Sequence, residues 1–214
     1  MGTIAEAFRV SGIWMYLILV ISIFALGIVL ERFIFLFFKY NINALAFMRQ
    51  IEKLVMAGNI DRALKLCSAA QDAALPKVVK AGLMRARKSK ESIQNAIEEA
   101  TLEVIPLVTR RTPALLALAN IATLLGLLGT IVGLIDAFAA LENAAPEERQ
   151  QLLARGISLA MYTTAAGLIV AIPTMLFHLF LSGMTKKIVE EIDQNAVKIE
   201  NLLVAQARGT AAAE

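Results

Sequence analysis

The sequence predicts an all-α integral membrane protein with three transmembrane helices, a helical cytoplasmic loop domain and a C-terminal cytoplasmic helix. The 214 residues are 58% hydrophobic and the mean hydropathy is +0.66, whereas soluble domains are roughly 45–50% apolar. The excess apolar residues form three runs, and each reaches the roughly 20 residues that a helix needs to cross a bilayer. The other segments repeat apolar residues at helical spacing, and none alternates as a β-strand does.

The three apolar runs divide the chain into seven predicted segments. The first run is followed directly by Glu31 and Arg32 and contains no clear small-residue cleavage site, so we interpret it as a retained span rather than a signal peptide. The predicted segments are a periplasmic N-terminal segment 1–11, transmembrane helix 12–38, a cytoplasmic helical region 39–113, transmembrane helix 114–138, a periplasmic loop 139–155, transmembrane helix 156–183 and a cytoplasmic C-terminal helix 184–214.

The predicted orientation follows from the charges beside the spans. The segment from Lys39 to Arg111 carries 13 lysine and arginine residues. The short loop between spans two and three carries only Arg149 and Arg155, together with glutamates. Because basic residues are retained on the cytoplasmic side, the large loop and the C-terminus are predicted to be cytoplasmic, and the N-terminus and the short loop periplasmic.

Composition and motifs argue against several classes of function. The formal net charge of +3 gives no support for nucleic-acid binding. The single cysteine, Cys67, cannot form an internal disulfide, and we interpret it as an ordinary buried thiol. No Walker loop, paired acid–base site, Ser/His/Asp arrangement or metal-binding cluster is recognisable, so the sequence predicts neither an enzyme nor a cofactor or metal site.

Several residues of the cytoplasmic segments mark predicted helix starts and ends. Gly58 is expected to end a first amphipathic helix, Pro76 to open a short helix, and Ser89 to cap a long one. Pro106 and Pro113 are expected to kink the entry into span two rather than to end the helix. The predicted C-terminal helix has one apolar stripe, formed by Ile188, Ile192, Ala196, Ile199 and Leu203.

Small and hydroxylated residues share one face of span two and one face of span three at 100° per residue. The stripe of span two contains Ala119, Thr123, Gly126, Thr130, Gly133 and Ala137, and that of span three contains Ala160, Thr164, Gly167, Ala171, Thr174 and His178. Such stripes are typical of close helix packing in membranes, but a wall that lines a water or ion path has the same composition. We interpret the small residues as packing against a central helix and the hydroxyls as a polar path.

Ionisable residues lie at the ends of the spans, and the middle of each span contains no carboxylate. Asp136 is interpreted as interfacial. Glu31 and Arg32 are adjacent, so they do not face one another on a helix; they are candidates for an inner gate or for ion pairs with neighbours. His178 is either a proton relay at the inner end of span three or an ordinary interfacial histidine. If protons cross this protein, another chain must supply the central carboxylate.

These motifs resemble the MotA/TolQ/ExbB proton-channel family. The segments that carry the resemblance are "LLGLLGTIVGLIDAF" and "GISLAMYTTAAGLIVAIP", which follow a first span ending in "LERF". The resemblance covers essentially the whole chain, and the three-span layout is similar to ExbB and TolQ rather than to four-span MotA. It implies a bacterial inner-membrane homopentamer around a dimer of a single-span ExbD-, TolR- or MotB-like partner, which brings an intramembrane aspartate.

The resemblance also implies roles for individual residues. Thr130 and Thr164 match the pore threonines of spans two and three, with Thr163 beside the latter. From the stripes, Thr123 is a further candidate lining residue, and the residues expected to pack on the partner are Gly126, Gly133, Gly167, Ala160 and Ala171. Pro173 matches the proline of "AIP" and is expected to kink span three, and Glu31-Arg32 matches a pair at the inner end of span one.

One position departs from the family pattern. ExbB and TolQ usually have a glutamate five residues before the third-span threonine, and Leu159 stands there. This departure distinguishes the chain from a typical ExbB or TolQ, and it leaves the threonines as the main polar lining. The rival hypotheses are a membrane scaffold that passes no ions and a small-solute transporter subunit. Three unequal spans without inverted repeats count against a transporter.

Overall fold

The computed structural model describes residues 12–40, 42–70, 72–142 and 144–211, and every regular element in these ranges is helical. The elements are α1 (Gly12–Ile34), a π-helix (Phe35–Tyr40), α2 (Ala44–Met56), α3 (Ile60–Ala69), α4 (Ala74–Met84), α5 (Lys90–Thr109), α6 (Thr112–Glu142) and α7 (Pro146–Ala211). Three candidate membrane spans lie in these helices by length and hydropathy. The predicted all-α membrane fold is confirmed. The predicted periplasmic segment 1–11 lies outside the described residues.

The chain divides into two compact units. The span unit contains the described parts of Met1–Glu31 and Arg111–Phe180, and the helical unit contains those of Arg32–Arg110 and Leu181–Glu214. The span unit is therefore built from α1, α6 and the first part of α7. Many large apolar side chains of the spans are exposed in the single chain, Ile13, Ile23, Phe24, Leu124, Ile135 and Ile169 among them. That surface is what a helix presents to lipid or to other membrane chains.

The helical unit is a bundle with an ordinary apolar core. The C-terminal stripe predicted from the sequence is buried in full, from Ile188 to Leu203. Gly82 of α4 lies against Ile97 of α5 and Leu203 of α7, so these three helices meet at one point of the core. Cys67 is 1% exposed, and burial raises the pKa of its thiol to about 11. The interpretation of Cys67 as a buried thiol is confirmed.

Local signals position the ends of the short helices. Gly58 has φ 71°, a left-handed conformation that suits glycine after a helix C-terminus. The Ser89 hydroxyl accepts a hydrogen bond from the Ser92 amide at 3.3 Å and caps α5, as predicted. α4 begins at Ala74, two residues before Pro76. Pro76 therefore lies in the first helical turn, where proline is tolerated.

The junction before span two differs from the prediction. α5 passes through Pro106 but ends at Thr109, and α6 starts at Thr112. Arg111, between them, has φ 65°, which interrupts the helix. Pro113 has no amide hydrogen, so the Thr109 carbonyl could not receive its usual helical hydrogen bond from that position. The predicted kink is therefore a break.

The segments around span three are also more helical than predicted. The predicted loop 139–155 is mostly helix, because α6 continues to Glu142 and α7 starts at Pro146. α7 continues for 66 residues, so span three and the predicted separate C-terminal helix form one element. The helix also passes through Pro173 without ending. The residues at the predicted boundary near 183 include no strong helix breaker apart from Gly183.

Candidate functional site

The small-residue stripes of spans two and three face each other within the span unit. A methyl group added at Gly126 would lie 3.0 Å from the Thr163 carbonyl oxygen, and one added at Gly167 would lie 2.6 Å from the Ala122 carbonyl oxygen. Gly133 also faces Ala160, but a methyl group there would lie 3.5 Å away, an ordinary van der Waals contact. The two backbones therefore approach closely along one line, which only glycine and alanine permit.

The same contact line includes glycines that the predicted stripes omitted. A methyl group at Gly129 would lie 2.8 Å from the Thr163 side chain, and one at Gly156 would collide with Ala137. The Gly129–Gly133 spacing is the GxxxG signal in the sequence. At the other end, Ala119, Ala122 and Ala171 form a buried cluster, against which Ile21 of α1 packs.

Five residues predicted to pack on a partner chain thus lie inside this chain's own helix pair. Gly126, Gly133, Gly167, Ala160 and Ala171 are all buried in the single chain. In the structure, the helix that packs on each stripe belongs to the same chain, whereas the sequence predicted a partner helix there. The small residues of each stripe allow the other helix to approach closely. A partner helix would meet the residues that flank this line.

A cluster of oxygen atoms lies on one flank of the helix pair. The Thr130 and Thr164 hydroxyls form a hydrogen bond with each other across the two helices. Both also reach the Gly126 carbonyl oxygen, at 3.1 Å from Thr130 and 3.2 Å from Thr164. The Thr130 hydroxyl lies 3.3 Å from the Ala160 carbonyl oxygen as well. The two threonines predicted as the main lining residues are therefore brought together.

This cluster has more acceptors than hydrogens. Each threonine hydroxyl carries one hydrogen and two lone pairs, and each carbonyl only accepts. The two hydrogens can therefore be arranged in more than one way, and lone pairs remain for a further donor. Both threonines are half-buried in the single chain, so the cluster is at the edge of the packed interface. Such a site can receive a hydrogen bond from water or from a protonated carboxyl group.

The other two predicted lining threonines occupy different environments. Thr163 is 1% exposed and lies against Gly129, with its hydroxyl donating to the Ala160 carbonyl at 2.8 Å. Its placement supports helix packing rather than a place on a path wall. Thr123 is half-buried, and its hydroxyl donates to the Ala119 carbonyl of its own helix at 3.2 Å.

Glu31 and Arg32, adjacent in the sequence, make contacts in different units of the chain. Glu31 of α1 pairs with Arg111 in the span unit. Arg32 is 1% exposed, and in the helical unit its Nη1 atom donates to the Leu107 carbonyl at 3.4 Å. The predicted pair Glu31-Arg32 thus has separate partners, in agreement with the rule that adjacent helical residues do not face one another. Arg111, which the sequence reading did not single out, is the cation immediately before span two.

His178 lies at the same end of the span unit. Its Nδ1 atom is 3.0 Å from the Thr112 carbonyl oxygen. Thr112 is 3% exposed, and sequence reasoning missed it because nothing distinguishes it locally from other threonines. Asp136 is exposed near the opposite end of α6. Leu159 is half-buried. Because leucine stands at this position, the described part of α7 has no carboxylate between Glu148 and Glu190.

Comparisons with known proteins agree with this architecture. The model of the MotA/TolQ/ExbB proton channel family matches residues 70–194. An ExbB homologue of Methanothermobacter thermautotrophicus is 28% identical over 194 residues, which cover 90% of this chain and 67% of the homologue. TolQ of Haemophilus influenzae is 34% identical over 101 residues, which cover 47% of this chain and 44% of TolQ.

One solved structure and one short match extend the comparison. The protein exbB1 of Vibrio cholerae is 47% identical over 55 residues, 26% of this chain and 24% of that protein. The structure of C. jejuni MotAB superposes with a TM-score of 0.62 at 21% identity and covers 97% of this chain and 84% of that chain, which supports the fold. Because the family model matches more than half of the chain, the chain belongs to the MotA/TolQ/ExbB proton channel family.

Proposed function

We propose that this chain is a stator-type subunit of a proton-driven complex in a bacterial inner membrane. The Thr130–Thr164 hydroxyl pair carries the proposal, because it is a hydrogen-bonding site that joins two mostly apolar spans. Within the predicted spans 12–38, 114–138 and 156–183, the carboxylates are Glu31 and Asp136, each toward one end. The group that carries the proton across the middle of the membrane must then come from a partner.

The proposed assembly is a homopentamer around a dimer of a single-span ExbD-, TolR- or MotB-like protein. The names of the similar proteins, ExbB, TolQ and MotAB, support a partner of this type. The large apolar surface that the single chain exposes would be covered by neighbouring copies, the partner helices and lipid. The N-terminus is proposed to be periplasmic and the C-terminus cytoplasmic, in accordance with the basic residues of the large loop.

The proposed chemistry is transfer of a proton to and from the partner's aspartate beside the threonine cluster. A protonated carboxyl group donates to a hydroxyl or carbonyl oxygen, and a carboxylate accepts from the same hydroxyls. The cluster can therefore serve both states of the aspartate. A membrane potential supplies about 2.3 kcal/mol per charge per 100 mV, so each proton can drive a modest conformational step. The work is proposed to act on the cell envelope, in TonB-type transport, Tol-Pal-type maintenance or gliding motility.

The test is purification of the complex from native membranes, followed by intact mass measurement and proton-flux assays in proteoliposomes. We expect a ring of this chain around a single-span partner and a flux that is abolished when the partner's intramembrane aspartate becomes asparagine. A ring without such a partner, or a complex that passes no protons, would refute the proposal.

A second candidate is a membrane scaffold that passes no ions. It is favoured by the contacts that the two stripes already make within the chain. The glycines pack against the neighbouring span, and the Thr130 and Thr164 hydroxyls each bond a backbone carbonyl. A scaffold requires nothing more of these residues. The same flux measurement separates the two functions.

A further inference from the structure

The chain contains a single histidine, and it is placed on the polar face of a membrane span. His178 continues the stripe of span three that contains Thr164 and Thr174. Its side chain is half-buried in the span unit. Ionisable residues within membrane segments are costly and mark proton or ion pathways more often than residues elsewhere. A role in such a pathway requires a ring nitrogen that is able to exchange a proton.

The contact with span two determines the tautomer. Nδ1 of His178 is 3.0 Å from the Thr112 carbonyl oxygen. A carbonyl oxygen only accepts hydrogen bonds, so Nδ1 must carry the hydrogen. In the neutral ring the lone pair is then on Nε2, which is available to accept a proton. The hydrogen bond orients the ring and leaves one nitrogen for proton exchange.

A second polar group on Thr112 is without a partner. The Thr112 hydroxyl is buried, and no hydrogen-bond partner for it occurs in the part of the chain that the structure describes. Buried hydroxyls are nearly always hydrogen-bonded, to protein atoms or to ordered water. A water molecule beside Thr112 would satisfy it. The residue that orients His178 therefore also has a hydroxyl that still requires a polar partner, such as water.

The charged groups around this region have opposite signs and already pair with each other. Arg111 precedes Thr112 and pairs with Glu31 of α1. The remaining charged side chains in the described part of the span unit, from Asp136 to Arg155, lie at the other end of spans two and three. His178 is therefore the ionisable group at this end that has no paired charge assigned to it in the described chain.

We propose that His178 is a proton-exchanging station at the Arg111 end of the ion path, with Nε2 as the atom that takes up and returns the proton. The inference rests on the proposed function. A hydrated proton binds the Nε2 lone pair, and the imidazolium then gives the Nε2 proton to another water molecule, so the ring ends unchanged. Because the Thr112 carbonyl cannot take the Nδ1 hydrogen, both transfers occur at Nε2.

The first test reads the ring directly in the complex purified from native membranes. NMR of imidazole nitrogens in a sample with isotope-labelled histidine reports which nitrogen carries hydrogen, and the His178→Asn sample identifies the signal of this residue. We expect a ring that carries hydrogen at Nδ1 and exchanges a proton with water at Nε2 under the conditions in which the complex conducts. A ring protonated only at Nε2, or one without proton exchange at Nε2 under those conditions, would overturn the inference.

The second test separates proton exchange from packing. Asparagine places an amide hydrogen near the position of Nδ1, so His178→Asn can keep the bond to Thr112 while removing the exchangeable site; His178→Phe removes both. We expect His178→Asn to assemble normally with proton flux reduced roughly tenfold, less than a positioned acid–base group contributes in enzymes because water partly replaces the ring. His178→Phe should lose flux similarly and also lower the thermal midpoint.

The outcomes distinguish this inference from the proposed function. Wild-type complex that conducts, together with His178→Asn that conducts equally well, overturns the histidine station and leaves the proposed function standing. Wild-type complex that passes no protons overturns both. Wild-type conduction, together with a His178→Asn complex that assembles normally and conducts more slowly, supports both.

Discussion

At the scale of single residues, the Thr130–Thr164 pair is the part of the proposed proton path that substitution tests directly. The two hydroxyls bond each other and share the Gly126 carbonyl. Replacing either threonine by alanine removes the hydroxyl and keeps most of the packing volume. Each lost hydrogen bond is worth about 0.5–1.5 kcal/mol of stability. The assembly should therefore survive both changes.

We expect Thr130→Ala and Thr164→Ala each to reduce partner-dependent proton flux in proteoliposomes while the complex still assembles. Thr130→Ser, which retains the hydroxyl, should conserve most of the flux. The matched control is Thr174→Ala, because Thr174 is buried and its hydroxyl bonds the Val170 carbonyl of its own helix. Full flux in both alanine variants would exclude the two threonines as lining residues of the proton path.

At the scale of secondary-structure elements, the close approach of α6 and α7 depends on glycines that face backbone atoms. A methyl group at Gly167 would meet the Ala122 carbonyl oxygen, which cannot rotate away. Overpacking of this kind typically costs about 1–3 kcal/mol. Gly167→Ala should therefore push the two helices apart and lower the thermal midpoint of the complex in detergent.

Gly27 provides the control for this change. It lies in α1, and a methyl group there would have no atom within 4 Å in the single chain. Gly27→Ala should leave the thermal midpoint unchanged or raise it slightly, because alanine is the better helix former. Equal midpoints for Gly167→Ala and Gly27→Ala would contradict the close packing of spans two and three.

The N-terminus of α5 gives an element-scale prediction outside the spans. Hydrogen bonds from its own backbone amide and from Ser89 lower the pKa of Glu91. A lowered pKa in the folded state means that the charged carboxylate favours the folded helix above the ordinary pKa, and that this contribution is lost as the pH falls through the folded value. The cap and the carboxylate therefore act together.

Ser89→Ala should raise the pKa of Glu91 toward its ordinary value and cost about 1 kcal/mol of stability. A carboxyl titration followed by NMR measures the first effect, and thermal unfolding of the complex measures the second. Ser68→Ala, at an exposed site in the last turn of α3, is the control and should change neither. An unchanged Glu91 titration in Ser89→Ala would show that the Ser89 hydroxyl does not act on this carboxylate.

At the scale of the whole molecule, the distribution of basic residues predicts the orientation of the chain in the membrane. The basic residues of the 39–113 segment predict a cytoplasmic location. In intact cells, a membrane-impermeant maleimide should label Glu147→Cys and should not label Arg87→Cys. Both positions are exposed in the single chain. The reverse labelling pattern would invert the topology.

The native cysteine does not interfere with this measurement. Cys67 is 1% exposed and burial raises the pKa of its thiol to about 11, so little thiolate is present at neutral pH. Wild-type protein should therefore remain unlabelled in intact cells. Permeabilised cells should label both introduced cysteines, which verifies that each site is reactive.

Most of the fold could be predicted from local patterns. The three spans follow from apolar runs of sufficient length. The end of α2 before Gly58 follows from a residue that tolerates positive φ, and the start of α5 after Ser89 follows from a side chain that accepts a hydrogen bond from a helix amide. The chain also carried the stripes of glycine and threonine in its helical periodicity. Two predictions about helix ends were wrong. The chain breaks at Arg111 where a kink was predicted, and α7 continues where a boundary near 183 was predicted.

The helical class, the membrane spans and the residue types available to a proton path follow from the amino-acid sequence alone, because these properties depend on composition and on spacing along one helix. The packing of the two stripes on each other, the bond between Thr130 and Thr164 and the pairing of Glu31 with Arg111 are visible only in the folded chain. The same holds for the contact of Nδ1 of His178 with the Thr112 carbonyl. These contacts join residues tens of positions apart, and the geometry that selects one partner among several polar groups exists only once the helices have packed.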